Sequence, residues 1–598
     1  MLGRRSKQRG LFEADSQYLE KVGKDSFYGF LASLRDELFV DEDFAIFYDE
    51  LGRGRPSVPP ALLATALLLQ TYDRVSDREA MERATFDLRW SVALGIEVGE
   101  QPFTKSTLQL FRAHLVVHEE AARIFKRSLD LARERGFVVK GKRKMRVALD
   151  TTNILGQGAV KDTYNLLADG IVLVLRQLAL LAKEELGDYA AERGLGRYVG
   201  ERSLKGEAEI NWDRKKEREG FLREIVGDAD RLLVEVREAR GRLVEGSPED
   251  EGLKQAAERL SQILMQDIER KEEGPQIREG VARDRVPSVH DPEMRHGRKS
   301  AQKRFDGHKA QIAVDTESQL ITAVDVIAGN AADNTNALAL VEESEGNAEA
   351  EVSETVADSA YADGATRQQF ADADRRLVAK MPAIRNRGRF PKTDFRIDLT
   401  KETCICPAGE QGIPRYSRSK EASGERKLRS FRFATEVCAT CELRPQCTGS
   451  QRGRSVAVHP QESLLQEARA FQETPEFREY QRARQAAEHR LARLVQLGIR
   501  QARYRGKIKT VFQLLMAATV ANLTLIAGHS QLAGGDSGLP GGGFGAFAAV
   551  LFLLGALLIR QRPKNADPPP NRSRRLDAAP PCSDPLRPFK MAHSQPAF

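Results

Sequence analysis

Between residues 475 and 506 the chain reads PEFREYQRARQAAEHRLARLVQLGIRQARYRG, and its apolar positions recur with the period of a helix. The leading proline suits a first helical turn, and no breaker follows before Gly498, so one helix is expected across the stretch. Tyr480, Arg484 and Glu488 stand four residues apart and climb one face. Ala483, Ala487, Leu491 and Leu494 fill the adjoining stripe, which should face a core. Glu488 then sits at the border of that stripe, held yet accessible. In isolation, Arg484 and Glu488 would be a surface ion pair of little worth. Two other segments change that judgement.

Upstream, the pattern alternates between helical and extended texture. Residues 11–135 read as short helices: an apolar one from Pro60 to about Thr71, one capped by Ser76 with Glu79 as its capping-box partner, and one from Thr104 to about His118. With Lys105 and Arg112 near a helix start, this set fits a helix-turn-helix reader of DNA as well as it fits plain helical packing. After the basic run KGKRK, Val147-Ala148-Leu149 makes a short strand with Asp150 at its end, the position where α/β folds tend to place a site. A long apolar helix follows. From Lys183 to Arg285 the texture becomes that of charged amphipathic helices, whose charges read as solvated faces and whose Trp212 reads as packing. Alternation returns at Lys309–Val314 and Leu320–Ile327, a predicted hairpin. A further strand ends at Val356-Ala357 and presents Asp358 at its tip, as the first presented Asp150.

At 598 residues the chain is too long for one ordinary domain. Its 93 Lys and Arg against 86 Asp and Glu leave only a net +7, but the basic residues cluster, which matters more for a polyanionic partner. Arg500, Arg503, Arg505, Lys507 and Lys509 form one such cluster just after Glu488. Beside a metal site its reading shifts from solvated face to phosphate neutralisation. Arg385, Arg387, Arg389, Lys392, Arg415, Arg418 and Lys420 form another, also expected to touch DNA. Six cysteines make no disulfide scaffold. Five fall between Cys404 and Cys447. The CxxC pair Cys438 and Cys441, with Cys447 and Cys406 (or Cys404 in its place), suits a structural zinc ion in a reducing compartment. No apolar run follows MLGRRSKQRG, so no cleavable leader is expected.

Asp150, Asp358 and Glu488 form a three-carboxylate candidate. Magnesium or manganese prefers such hard oxygen ligands, and two ions about 3.5–4 Å apart can clamp both oxygens of an in-line phosphoryl displacement. The acids lie too far apart in sequence for a local motif, so a fold must gather them.

The blocks ALDTTNILG with AVKDTYNLL, SVHDPEMRHGRKS with FDGHKAQIAVD, VADSAYAD, and YQRARQAAE with LGIRQARYRGKIKT, in that order, resemble the DDE transposases of bacterial insertion sequences. The likeness covers roughly residues 35–525. It is to the group with a Tyr–Arg–Glu signature, in the branch with a helical insertion and a cysteine-bearing segment. The resemblance implies an α/β fold with a ribonuclease H-like core. It also implies Asp150, Asp358 and Glu488 as catalytic magnesium or manganese ligands, supported by Tyr480 and Arg484. The signature usually has two residues between Tyr and Arg; here there are three, and Arg482 is the other candidate. The implied layout is a helical, DNA-binding domain at 1–135 and core segments at 136–183, 301–400 and 451–530. A charged helical insertion at 184–300 and a cysteine-rich insertion at 401–450 interrupt the core. The implied activity is metal-dependent cleavage at inverted element ends and strand transfer into target DNA, by a homodimer in the cytoplasm. An inactive DNA-binding descendant and a nuclease on the same core are the alternatives. Residues 531–598, a flexible glycine-rich linker, an apolar run at Phe544–Ile559 and a proline-rich tail, fall outside the resemblance; the tail is expected to be disordered, and the apolar run, slightly short for a spanning helix, is not expected to enter a membrane.

Overall fold

The computed structural model describes residues 1–5, 14–48, 55–137, 144–300, 302–418 and 426–534. The chain divides into two compact units, 1–528 and 529–598, and the apolar run at 544–559 lies outside the described residues. The first unit is organised around a six-stranded mixed sheet. In chain order its strands are β1 (Met145–Leu155), β2 (Arg295–Arg298), β3 (Arg304–Asp315), β4 (Ile321–Ala328), β5 (Val352–Ala357) and β6 (Arg376–Ala379). Across the sheet the order is β3, β1, β5, β6, with β2 and β4 pairing along the outer edge of β3. β1 runs parallel to β5, and β5 to β6, whereas β3 is antiparallel to β1. The expected hairpin is thus present as β3 and β4, joined where Asp315 accepts from the Ser318 hydroxyl at 2.6 Å.

β1 does not stop at Asp150, as its apolar run suggested. Thr151 to Leu155 stay paired with β3, down to Leu155 opposite Gly307, because β-branched Thr151, Thr152 and Ile154 continue the extended pattern. Its other edge behaves differently. Pairing with β5 ends at Ala148 opposite Val356, so from Asp150 onward that edge is bare until Leu155 meets Gln501.

Alternation along the strands splits the core into two layers. Val147 and Leu149 of β1 pack with helix Ala337–Ala348 and with Phe370 on one face. Ala148 and Ile154 pack on the other face with the N-terminal helices, the helix that carries Glu488, and the helix Lys507–Gly534. The N-terminal helices are α1 (Pro60–Asp73), α2 (Asp77–Phe86), α3 (Lys105–Val117) and the helix Ala121–Glu134. The expected cap is in place, Ser76 accepting from the Glu79 amide, but the Glu79 carboxylate takes Arg83 instead of closing the box; Thr104 caps the next helix by accepting from the Thr107 amide.

The long helix α4 (Thr163–Ala182) does not join the sheet core, where sequence order placed it. Its apolar faces pack with α5 (Lys215–Arg240) and α6 (Pro248–Asp267) in a separate core, to which Tyr164, Trp212 and Phe221 add an aromatic corner. Four later helices position the site: α7 (Ala337–Ala348), α8 (Glu476–Ala483), α9 (Gln485–Gln496) and α10 (Lys507–Gly534). By length and composition α4 and residues 507–529 could each cross a membrane; here both lie against cores, the second more completely.

Asn522, on the largely apolar α10, has no exposed surface. Its Oδ1 accepts from the Ile321 amide and its Nδ2 donates to the Ile321 carbonyl, both at 2.9 Å, so it completes the ladder of an edge strand. Asn522→Leu should leave both backbone groups buried and unpaired, at a cost of about 2–4 kcal/mol in denaturant unfolding.

Candidate active site

Asp150, Asp358 and Glu488 line one cleft of about 590 Å³ at the point where β1 outruns β5. The sheet itself creates the opening. β5 ends at Ala357, and Asp358 then caps a short turn of helix by accepting from the Ala360 amide at 2.8 Å. Asp150 protrudes from the bare edge of β1 beside it, its Oδ1 accepting from the Thr151 amide at 2.8 Å. Glu488 arrives on α9, which crosses β1 and β3 with Ala487, Leu491 and Leu494 buried beneath it.

The charge environment follows from this convergence. Burial pushes the Asp150 carboxyl up to about 6, and the nearby negative charges of Asp358 and Glu488 push the same way, while the Thr151 amide and Arg484 oppose them. Arg484 stands between two of the acids. Its Nη1 is 3.7 Å from Asp150 Oδ2, and its Nη2 pairs with Glu488. A guanidinium thus supplies positive charge where the first and third carboxylates face each other. Among the described residues no three His, Cys, Asp or Glu side chains stand close enough together to hold a metal ion. The donor set is therefore right for a hard cation, but it is not drawn in around one.

The expected single helix of residues 475–497 is two. α8 ends at Ala483 and α9 begins at Gln485, with the Arg484 carbonyl accepting from Ala487, only three residues on. Tyr480 is on the far side of this break and does not reach the acids. It is 3 % exposed and donates to Glu354 Oε1 at 2.5 Å on β5, while Arg146 and Arg376 lie over its ring. Its role near a DNA end is thus corrected to that of a buried pin between α8 and the sheet. Arg482 is exposed on α8.

Among the expected DNA contacts, Arg112 is also corrected. It is buried on α3, with Nη2 2.6 Å from Asp77 Oδ1 and 3.1 Å from Gln70 Oε1, and it lies over the Tyr504 ring. Burial by itself would raise the Asp77 carboxyl, but the hydrogen bond and charge of Arg112, together with hydrogen bonds from Gln70 and Gln109, hold it well below the usual carboxylate range. Arg503 reaches the same carboxylate at 3.4 Å, and Lys507 approaches Asp325 at 3.8 Å. Lys105, Arg500 and Arg505 are exposed, and Lys509 is half-buried. Of the basic cluster, Arg500 lines the carboxylate cleft.

Several residues of the cleft had not been singled out from sequence. Arg298 and Lys299 stand exposed on its rim, and Lys309 points in from β3, held by Asp333 Oδ1 at 2.6 Å and the Ala331 carbonyl at 2.7 Å. The basic run RHGRKS was the available signal for the first two. Lys309 carried none, because a lysine in an alternating strand reads as its solvent face. Asp291 and Glu293 were also missed. They accept from the amides of Gly506 and Lys507 and so anchor the basic turn that leads into α10.

The cysteine segment is built on a three-stranded antiparallel sheet with Phe395, Cys404, Phe431, Phe433 and Val456 at its heart. Burial pushes the Cys447 thiol up, with Cys438, Cys406 and Cys441 contributing in the same direction, so the four proposed thiols share one neighbourhood. They are free thiols, and among the described residues no three such side chains are placed close enough to hold a metal ion, so the zinc expectation gains no support. Cys404, the substitute ligand, is buried, which pushes its thiol up to about 11.

Comparison with known proteins bears directly on this site. Residues 405–527 match the family model described as a transposase DDE domain, and residues 16–114 match the transposase domain DUF772. Together they support what the sequence resembles, a DDE transposase of bacterial insertion sequences, and indicate a role in transposition. The first match contains Glu488 and Cys406, Cys438, Cys441 and Cys447, whereas Asp150, Asp358 and Cys404 lie outside both. No curated protein and no solved structure matches the chain.

Proposed function

We propose that the chain cleaves DNA at the ends of an insertion element and joins the freed 3′ ends to target DNA. The observation that carries this reading is the meeting of Asp150, Asp358 and Glu488 in one cleft whose rim bears Arg298, Lys299 and Arg500. The strand arrangement supports a ribonuclease H-like core: β4, β3, β1, β5, β6 in order, with β3 alone antiparallel to the rest. Asp150, Asp358 and Glu488 would hold magnesium or manganese, which would supply activation of the attacking oxygen and neutralisation of the phosphate. The chain's own contribution is positional. The exposed cations hold the backbone phosphates, and Lys309, fixed by Asp333, adds a charge that cannot swing away. Arg484, paired with Asp150 and Glu488, can exchange these carboxylate partners for a backbone phosphate. The element ends, the target, a dimeric assembly and a cytoplasmic setting are implied by the same family reading.

Assays in magnesium with intact element ends, which read cleavage, and with pre-cut ends, which read joining, test the proposal. Joined product is expected; binding without cleavage or joining would overturn it, and cleavage without joining would reassign the chain as a nuclease. The pH dependence is also set. With the metal-free Asp150 carboxyl protonated below about pH 6, a metal must compete with that proton. The magnesium concentration for half-maximal joining should therefore rise about tenfold per unit as pH falls below 6, and level off above it.

A further inference from the structure

The positive excess of this chain is concentrated in one place. Residues 385–458, the cysteine segment and its flanks, hold 16 Lys and Arg against 8 Asp and Glu, a net +8, whereas the whole chain carries +7. The remainder is thus close to neutral, and its cations are largely occupied, as the ion pairs of the helical insertion illustrate.

Within the segment the basic residues fall into two groups. Some are used internally: Lys392 pairs with buried Glu462, Arg454 donates to the carbonyls of Cys447 and Phe390, and Arg432 donates to that of Arg452. Others are exposed and none pairs with a carboxylate among the described residues: Arg396, Arg415, Lys427 and Arg429. Arg415 lies on the strand Ile413–Arg418, and Lys427 and Arg429 lie on its antiparallel partner, Arg426–Arg432. Leaving long cations unpaired on a compact ribbon accumulates like charge, which costs folding stability unless a polyanion neutralises it.

We propose that this ribbon is a second DNA-binding surface, separate from the carboxylate cleft, that grips the phosphate backbone of duplex DNA. The partner is assigned by charge complementarity: the exposed cations lie on two paired strands of the small sheet, and side chains of this kind bind phosphate without reading bases. The inference rests on the proposed function, since it gives the duplex being cleaved a second point of attachment. Its specificity is low by design of the chemistry. It should tighten binding to any duplex and hold DNA against the enzyme without choosing the sequence.

The test uses the full chain with Arg415→Gln, Lys427→Gln and Arg429→Gln combined. All three sites are exposed, and an unchanged thermal midpoint will confirm that folding is intact. Duplex binding is then measured across a series of salt concentrations. Loss of three phosphate contacts should lower the slope of log affinity against log salt by about 2.7, equally for element-end and unrelated duplexes. An unchanged slope, with wild-type chain binding duplex normally, overturns the second surface and leaves the cleft reading intact. A greater loss for single-stranded RNA than for duplex DNA would overturn the choice of partner. Wild-type chain with no affinity for DNA would remove the proposed function and this inference together.

Discussion

Asp150→Asn is expected to abolish both end cleavage and strand transfer, by on the order of 10⁴-fold in rate, while leaving the fold and DNA binding unchanged. The separation of effects follows from where the residue sits. Its backbone is locked into β1 opposite Ile312, and the amide of asparagine can still accept from Thr151, so the scaffold loses nothing. What is lost is one negative charge at the meeting point of three acids. Asp358→Asn and Glu488→Gln should give losses of the same order, and the double variant Asp150→Asn with Glu488→Gln should be hardly worse than either alone, because the acids act as a unit. Single-turnover cleavage and joining of labelled ends, run beside a binding titration, is the measurement. A variant that cleaves within tenfold of wild type would remove Asp150 from the chemistry.

Arg112→Ala should instead be a stability mutant, costing about 3–5 kcal/mol. The guanidinium lies in a contact between three parts of the chain: Gln70 at the end of α1, Asp77 at the start of α2, and Tyr504 in the turn before α10. Removing it leaves the Asp77 carboxylate, only 15 % exposed, to Gln70, Gln109 and the more distant Arg503. Replacing both partners, Arg112→Met with Asp77→Leu, should recover most of the loss, since the penalty lies in stranding one charge. The midpoint of denaturant unfolding for the two singles and the double closes the cycle. A single variant that keeps wild-type stability but loses DNA affinity would restore Arg112 to the groove-reading role its helix position suggested.

These two residues show how differently the chain's parts can be read. Near the N-terminus, helix boundaries were legible because capping is local: Ser76 and Thr104 sit one residue before the helices they cap. The same local logic located the β3–β4 hairpin and the tips of Asp358 and Glu488. It misled at Arg112, since a basic residue on a short helix looks alike whether it faces DNA or a carboxylate 35 positions away. It misled at Tyr480 for the same reason, as its partner Glu354 is 126 positions distant. Even the length of β1 was misjudged, because Thr151–Leu155 are held extended by β3, not by their own apolarity.

From the order of its residues alone, this chain declares the acids, the basic runs, the cysteine spacing and the periodicity of each element, all of which are set by neighbours within a few positions. Folding decides which of the charges are available. Desolvation and pairing depend on surfaces that meet only when β1, α9 and the N-terminal helices close on one core. That closure is why Arg112 is enclosed and Arg500 is open, and why three acids carried by separate segments face a single cleft.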